Sequence, residues 1–185
     1  MTRYSPRDLA LAGLFAALTA AGAHLRIPLE PVPFTLQPLV VLLAGVVLRP
    51  RLALMSQVAY LVVGLLGLPV FARGGGPAYV LQPTFGFLVG FALGAWVISV
   101  LVHAGPGRGA AKTVGALLAG LAVVYGAGVA GLYLNLAVFQ GKAAVFSKVV
   151  WGLGAYLVLD LFKVAVVAAL AAPIRRAVSV SLPAR

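Results

Sequence analysis

The segment from Val149 to Ala172, with the sequence VVWGLGAYLVLDLFKVAVVAALAA, decides what kind of fold this chain forms. Its only charged residues are Asp160 and Lys163, near the middle. A helix of about 20 mostly apolar residues crosses a hydrocarbon core of about 30 Å, and it satisfies its own backbone hydrogen bonds there. The segment is therefore predicted to be a transmembrane helix.

Five further apolar stretches have the same character, and Pro- or Gly-rich connections separate several of them. The predicted spans are Leu9–Leu25, Thr35–Leu48, Leu52–Leu68, Phe85–His103, Thr113–Phe139 and Val149–Ala172. The second span is short and is expected to tilt or to thin the bilayer. The sequence thus predicts an all-α integral membrane protein with six transmembrane helices in a single domain, residues 1–185.

The composition excludes an ordinary soluble domain. Hydrophobic residues make up 63% of the chain and charged residues 9%, whereas a typical soluble domain is about 25% charged. The net charge is +11. The charged residues lie between long uncharged runs, a pattern that is typical of membrane topology and not of a nucleic-acid-binding face. No nucleic-acid partner is expected.

The distribution of positive charge predicts an orientation, because Lys and Arg collect on the cytoplasmic side of membrane proteins. With a cytoplasmic N-terminus, the inside set is Arg3, Arg7, Arg49, Arg51, Arg108, Lys112, Arg175, Arg176 and Arg185, and the outside set is Arg26, Arg73, Lys142 and Lys148. Both termini are therefore predicted to be cytoplasmic. The apolar connections 27–33 and 74–77 then face outward, where they line or cap a cavity. A basic N-terminus also resembles a signal peptide, but a retained first helix is the simpler interpretation.

The sequence lacks the residues of common catalytic and metal sites. It has no Cys, no Walker A motif, no His-Glu-x-x-His and no Gly-x-Ser-x-Gly. Its acids and histidines are few and scattered: Asp8, Glu30, Asp160, His24 and His103. We therefore expect no catalytic residues, no metal site and no nucleotide hydrolysis by this chain itself.

Asp160 and Lys163 are hard to explain as simple packing. A central Asp or Lys costs about 2.5–3.5 kcal/mol in a membrane helix, so such residues usually face a cavity in pairs. At a spacing of three they share one helical face and can form an ion pair. The pair is either a carboxylate acceptor and an ammonium donor for a polar ligand in an apolar pocket, or a structural pair that pins the sixth helix to its neighbours. A third hypothesis, a proton relay, is less favoured because the sequence has no second acid within a predicted span.

The first helix carries small residues at intervals of four, Ala12, Ala16 and Ala20, flanked by Gly13, Ala17 and Ala21. Small residues at this spacing let another helix approach closely. They indicate either a docking face for a partner subunit or packing within the same bundle.

Polar side chains in the second outward connection are further ligand candidates: Arg73, Tyr79, Gln82 and Thr84. An arginine beside a glycine run can meet an anionic group, helped by backbone N–H groups. The alternative is that these are a solvated arginine, an interfacial aromatic and turn residues.

Several sequence motifs resemble those of a known family, the BioY family of substrate-binding subunits of biotin transporters. This family lies within the energy-coupling-factor class of vitamin importers. The resemblance covers most of the chain. Its most specific pieces are IPLEPVPFTLQ at 27–37, LLAG at 42–45, GLPVFA at 67–72 with the glycines at 74–76, Pro83-Thr84, GFLVGF at 86–91, and DLFK at 160–163.

The resemblance implies an outward-facing pocket that is capped by the first and third connections and binds biotin. Asp160 would accept from the ureido N–H groups, Lys163 would donate nearby, Gln37 joins the ligand-binding candidates, and Arg73 is the candidate for the valerate carboxylate. Family members work with a transmembrane coupling subunit and two cytoplasmic ATPases, so ATP would be used by partners and no cofactor is expected here. Ala12, Ala16 and Ala20 resemble a docking stripe. The expected location is the bacterial or archaeal cell membrane, in contact with lipid.

The chain also departs from the family pattern. Relatives often have a longer glycine run where this chain has Arg73, a Gly-Pro-Thr-Gly-Gly-Tyr stretch where it has residues 82–87, and Pro-Gly where Val158-Leu159 precede Asp160. The outer cap is therefore expected to differ in shape. A sister subunit for riboflavin or thiamine, a membrane-embedded enzyme, and a purely structural subunit remain as alternatives.

Overall fold

The computed structural model describes residues 4–29, 32–104 and 109–180. Within them the chain is mostly helical. The elements are α1 (Pro6–His24), β1 (Arg26–Ile27), β2 (Phe34–Thr35), α2 (Gln37–Val47), α3 (Pro50–Leu65), a 3₁₀ helix (Pro77–Leu81), α4 (Phe85–His103), α5 (Ala110–Leu132), a π-helical segment (Tyr133–Phe139) and α6 (Ala143–Val180).

Local sequence explains where several helices begin. Ser5 caps α1: its hydroxyl accepts from the Asp8 backbone N–H at 3.2 Å, while the Asp8 carboxylate accepts from the Ser5 N–H at 2.9 Å. This reciprocal pair satisfies two of the unpaired N–H groups at the helix start. Proline at the beginning of α3, Pro50, suits a position where no N–H donor is needed.

The first connection is not the plain loop that an all-α prediction implies. Its ends pair as a two-stranded antiparallel ladder, with Arg26 opposite Thr35 and Ile27 opposite Phe34. The Leu36 N–H donates to the Gly22 carbonyl at 3.2 Å, which fixes the ladder to the end of α1. We call residues 26–35 the hairpin; Glu30, which the sequence places in it, lies outside the described residues.

Among the described residues, three helical segments are long and apolar enough to cross a membrane: Phe85–His103, Ala110–Phe139 and Val145–Arg176. The helices α2 and α3 are apolar but shorter. With 11 residues, α2 is only about 17 Å long. This confirms the prediction that the second apolar stretch is short. The last of the three long segments contains the predicted sixth span.

A seam of glycines brings α4 and α5 into close contact. A Cβ atom built on Gly86 would lie 2.5 Å from the Ala127 carbonyl oxygen, and one on Gly90 would lie 2.8 Å from that of Val124. At Gly94 the same atom would lie 2.9 Å from the Gly120 carbonyl oxygen. Since lipid tails provide little hydrophobic drive between helices, such close backbone packing is a main source of association.

Gly90→Ala is expected to lower the free energy of unfolding by about 1–3 kcal/mol, because the new methyl group meets the α5 backbone, which cannot rotate away. Thermal unfolding of the detergent-solubilised protein measures the change. Gly126→Ala is the matched control, since a Cβ there meets nothing within 4 Å and alanine favours the helix. Equal melting temperatures for the two variants would contradict the role of the seam.

Candidate ligand-binding site

Asp160 and Lys163 form a buried ion pair on α6. The Lys163 ammonium donates to Asp160 Oδ1 at 2.6 Å, and the Tyr125 hydroxyl of α5 donates to Asp160 Oδ2 at 2.8 Å. Only 4% of Asp160 and 5% of Lys163 is exposed. Both carboxylate oxygens are therefore held in place from two different helices.

Lys163 also binds the hairpin. Its ammonium donates to the Thr35 carbonyl at 2.8 Å and lies 4.0 Å from the centre of the Phe34 ring, a distance at which a cation and an aromatic face attract each other. Two turns before Lys163 on α6, the Tyr156 hydroxyl donates to the Val32 carbonyl at 2.8 Å. The hairpin is thus attached to α6 at two points.

These groups line a cavity among the helices. The hairpin, the 3₁₀ helix and helices α2, α4, α5 and α6 all contribute to its wall. The lining residues include Val32, Pro33, Phe34, Thr35, Gln37, Ala72, Tyr79, Thr84, Phe87, Leu88, Phe91, Val124, Tyr125, Leu153, Tyr156, Asp160 and Lys163. Among the described lining residues, Asp160 and Lys163 carry the only formal charges, so the cavity is mostly apolar with one polar end.

Three of the predicted loop and α2 candidates line this cavity: Gln37, Tyr79 and Thr84. The Gln37 amide nitrogen donates to the Tyr60 hydroxyl at 2.7 Å and its oxygen accepts from the Thr35 hydroxyl at 3.2 Å, so it already holds α2, α3 and the hairpin together. By contrast, the buried Thr84 hydroxyl has no hydrogen-bond partner within the described residues. A buried polar group of that kind points to a partner supplied by a ligand or water.

Two candidates, Arg73 and Gln82, do not line the cavity. Arg73 lies in a separate cleft with Arg26. Gln82 ends the 3₁₀ helix, where its N–H donates to the Tyr79 carbonyl at 2.9 Å. Their predicted contact with the ligand rests on the sequence alone.

The small residues of α1 face inward. Ala12 is buried, and Ala16 and Ala20 pack against the core cluster that includes Phe15 and Tyr60. The flanking Gly13, Ala17 and Ala21 are exposed. In the isolated chain, the stripe therefore serves internal packing, and partner docking through it stays a prediction.

Tyr125, Tyr156 and Phe34 were not singled out from the sequence, yet all three contact the ion pair or the hairpin around it. A signal for Tyr156 did exist, because it lies four residues before Asp160 and shares its helical face. Tyr125 offered no such signal, since it is 35 residues from Asp160 along the chain. No group of three or more His, Cys, Asp or Glu residues that could hold a metal ion occurs in the described part of the chain.

A helical membrane bundle with a mostly apolar cavity and a neutralised ion pair on the cavity wall defines a class: a membrane protein that binds a small molecule with an apolar body and hydrogen-bonding groups. The comparisons with known proteins narrow this class. The chain belongs to the BioY family, whose model matches residues 1–180. The family assignment and the apolar helices make it a multi-pass cell-membrane protein of a transporter class, not an enzyme.

Several curated relatives support the family assignment. A protein named probable biotin transporter BioY from Lysinibacillus sphaericus is 44% identical over 80% of this chain and 76% of its own length. Biotin transporter BioY from Thermotoga maritima is 39% identical over 92% of this chain and 96% of its own. Among solved structures, the S-component for biotin from an ECF-type ABC transporter matches with a TM-score of 0.80, covering 94% of this chain and 95% of that one at 20% identity. At that identity the likeness establishes a shared fold.

Lys163→Met alone is expected to lower the free energy of unfolding by about 3–5 kcal/mol, because it leaves the Asp160 carboxylate buried without its ammonium partner. The double variant Asp160→Asn/Lys163→Met removes both charges and is expected to be more stable than Lys163→Met. Thermal unfolding of the ligand-free protein tests this. A double variant that is no more stable than Lys163→Met would contradict the view that the ion pair is what stabilises these two residues in the membrane.

Proposed function

We propose that this chain is the biotin-binding subunit of an energy-coupling-factor importer and that biotin occupies the cavity beside Asp160 and Lys163. The observation that carries the proposal is the buried, neutralised ion pair at the polar end of an otherwise apolar cavity. The names of the curated relatives and of the solved structure support the choice of biotin.

The donors and acceptors at the site suit a cyclic urea. A lysine has three N–H donors and a carboxylate about four acceptor positions. Two of the Lys163 donors are directed at Asp160 and Thr35, which leaves the third for the ureido carbonyl. Asp160 accepts one bond on each oxygen, so acceptor positions remain for a ureido N–H. The thioether ring and aliphatic chain of biotin match the apolar wall.

The proposed topology has six membrane crossings, both termini in the cytoplasm and a cavity that opens outward under the hairpin and the 3₁₀ helix. Three segments of sufficient length support it, and so does the excess of Lys and Arg in the connections assigned to the inside.

The proposed partners are a transmembrane coupling subunit and two cytoplasmic ATPases, which use ATP on behalf of this chain. The absence of a Walker A motif from the sequence and the ECF-type assembly named for the similar structure support this division of labour. Docking is proposed through α1, at the Ala12, Ala16 and Ala20 stripe or at its exposed neighbours.

Biotin is expected to bind the detergent-purified, ligand-stripped protein, and Asp160→Asn and Lys163→Met are each expected to weaken binding about tenfold or more, because each removes a hydrogen bond to a charged group. Titration calorimetry measures the affinity, with riboflavin and thiamine as competing vitamins that should not bind. Lys148→Met is the matched control, an exposed lysine on the same helix. Absence of biotin binding by the folded protein would overturn the proposal. Binding that survives both substitutions would make the pair a structural one.

Thr84→Val is expected to lower biotin affinity about fivefold, as for one lost hydrogen bond of about 1 kcal/mol, while the melting temperature of the ligand-free protein stays the same or rises. The reason is that its buried hydroxyl has no partner to lose before the ligand arrives. Thr19→Val is the contrasting control, because its hydroxyl donates to the Phe15 carbonyl at 2.8 Å and Thr19 is not among the residues that line the cavity. It should lower the melting temperature and leave affinity unchanged. The reverse pattern would remove Thr84 from the ligand site.

A further inference from the structure

Three cations meet at the end of α5 and α6 that lies away from the hairpin. Arg175 on α6 donates from Nη2 to the Thr113 hydroxyl of α5 at 3.4 Å. Lys112 directly precedes Thr113 and donates to the Ala104 carbonyl at the end of α4. Arg176 directly follows Arg175 and is exposed. We call Lys112, Arg175 and Arg176 the basic patch.

The sequence contains almost no acid that could neutralise the basic patch. Between residues 31 and 185 the one acid is Asp160, which lies in the cavity wall. It precedes Arg175 by 15 residues on α6, which is about 22 Å along the helix axis. Asp8 belongs to α1, which packs against α2 and α3, and the sequence places Glu30 in the hairpin. The ends of α5 and α6 at the patch therefore carry three cations and no acid.

An exposed apolar face of α6 leads directly to the basic patch. The exposed residues of this face recur at intervals of three or four: Phe162, Ala165, Ala169, Ala172 and Arg176. At this spacing they share one side of the helix. Arg176 follows Ala165 by 11 residues, about 16 Å, which matches half of a hydrocarbon core of about 30 Å. A molecule that covers both the patch and this face needs an anionic head and apolar chains about as long as one leaflet is thick.

We propose that the basic patch binds the headgroup phosphate of an anionic phospholipid whose acyl chains lie along this face of α6. A guanidinium can bind a phosphate through two parallel N–H···O bonds, and its five N–H donors give Arg175 capacity beyond its bond to Thr113. A soluble phosphate would leave the apolar face uncovered, and a zwitterionic headgroup carries a cation of its own that the patch repels. This lipid site is separate from the cavity and does not depend on which ligand binds there.

The test measures lipid binding by the delipidated, full-length protein in a neutral detergent, with native mass spectrometry as the readout. The probes are phosphatidylglycerol and phosphatidylcholine with identical acyl chains. The wild type is expected to bind phosphatidylglycerol about tenfold or more tightly than phosphatidylcholine. Lys112→Gln/Arg175→Gln/Arg176→Gln should reduce this preference to less than about twofold, because each cation near the membrane surface contributes about fivefold.

Two single variants keep the test independent of how well the triple variant folds. Arg176→Gln removes one exposed charge and leaves the bond between Arg175 and Thr113 in place, and it should weaken phosphatidylglycerol binding about fivefold. Lys148→Gln is the matched control, because it removes an exposed cation from the same helix far from the patch. It should bind both lipids as the wild type does.

Two results would overturn the lipid site. The first is a wild type that binds both lipids equally, or a preference that Arg176→Gln and the triple variant both retain, which would leave the patch to an acidic protein surface. The second is displacement of phosphatidylglycerol by excess inorganic phosphate, which would make the patch a site for free anions. Biotin binding by the three variants is expected to equal that of the wild type, so a loss of lipid binding would not reflect a loss of fold.

Discussion

The structure depends on how one ammonium group, that of Lys163, is satisfied inside a membrane helix. An unpaired cation there is strongly unfavourable, and here it is matched by the Asp160 carboxylate, the Thr35 carbonyl and the Phe34 ring. These partners belong to α6 and to the hairpin. The contacts that stabilise this one charge therefore fix the hairpin over the cavity and form the polar end of the site.

The opposite wall depends on a different constraint, the close approach of α4 and α5. Glycines such as Gly90 and Gly94 bring the two backbones together, so α5 is held in position against α4. From that position Tyr125 reaches Asp160. The glycine seam thus orients the carboxylate although none of its glycines lies in the site.

Much of the fold followed from the sequence because it depends on local properties. Hydropathy located the long helices, and the predicted bounds of Phe85–His103 agree with α4. The spacing of Asp160 and Lys163 correctly put them on one face. Prediction was less successful in the connections. The sequence predicts a loop where the structure has the hairpin. It also groups Arg73 and Gln82 with Tyr79 and Thr84 as ligand candidates, but only Tyr79 and Thr84 line the cavity. Side-chain direction in an irregular connection is set by turns such as Phe71–Gly74, whose geometry has no simple periodicity.

The sequence by itself determined that this is a helical membrane protein, that a buried acid and base lie side by side on its last helix, and that its motifs resemble those of the BioY family. The tertiary structure alone decided what surrounds that pair. Tyr125 and Thr35 are 35 and 128 residues away from the partners they bind, and no local pattern encodes contacts over such separations. The tertiary structure also placed Arg26 and Arg73 in a cleft separate from the cavity, because the pairing of β1 with β2 and the turn at Gly74 set the positions of these two side chains.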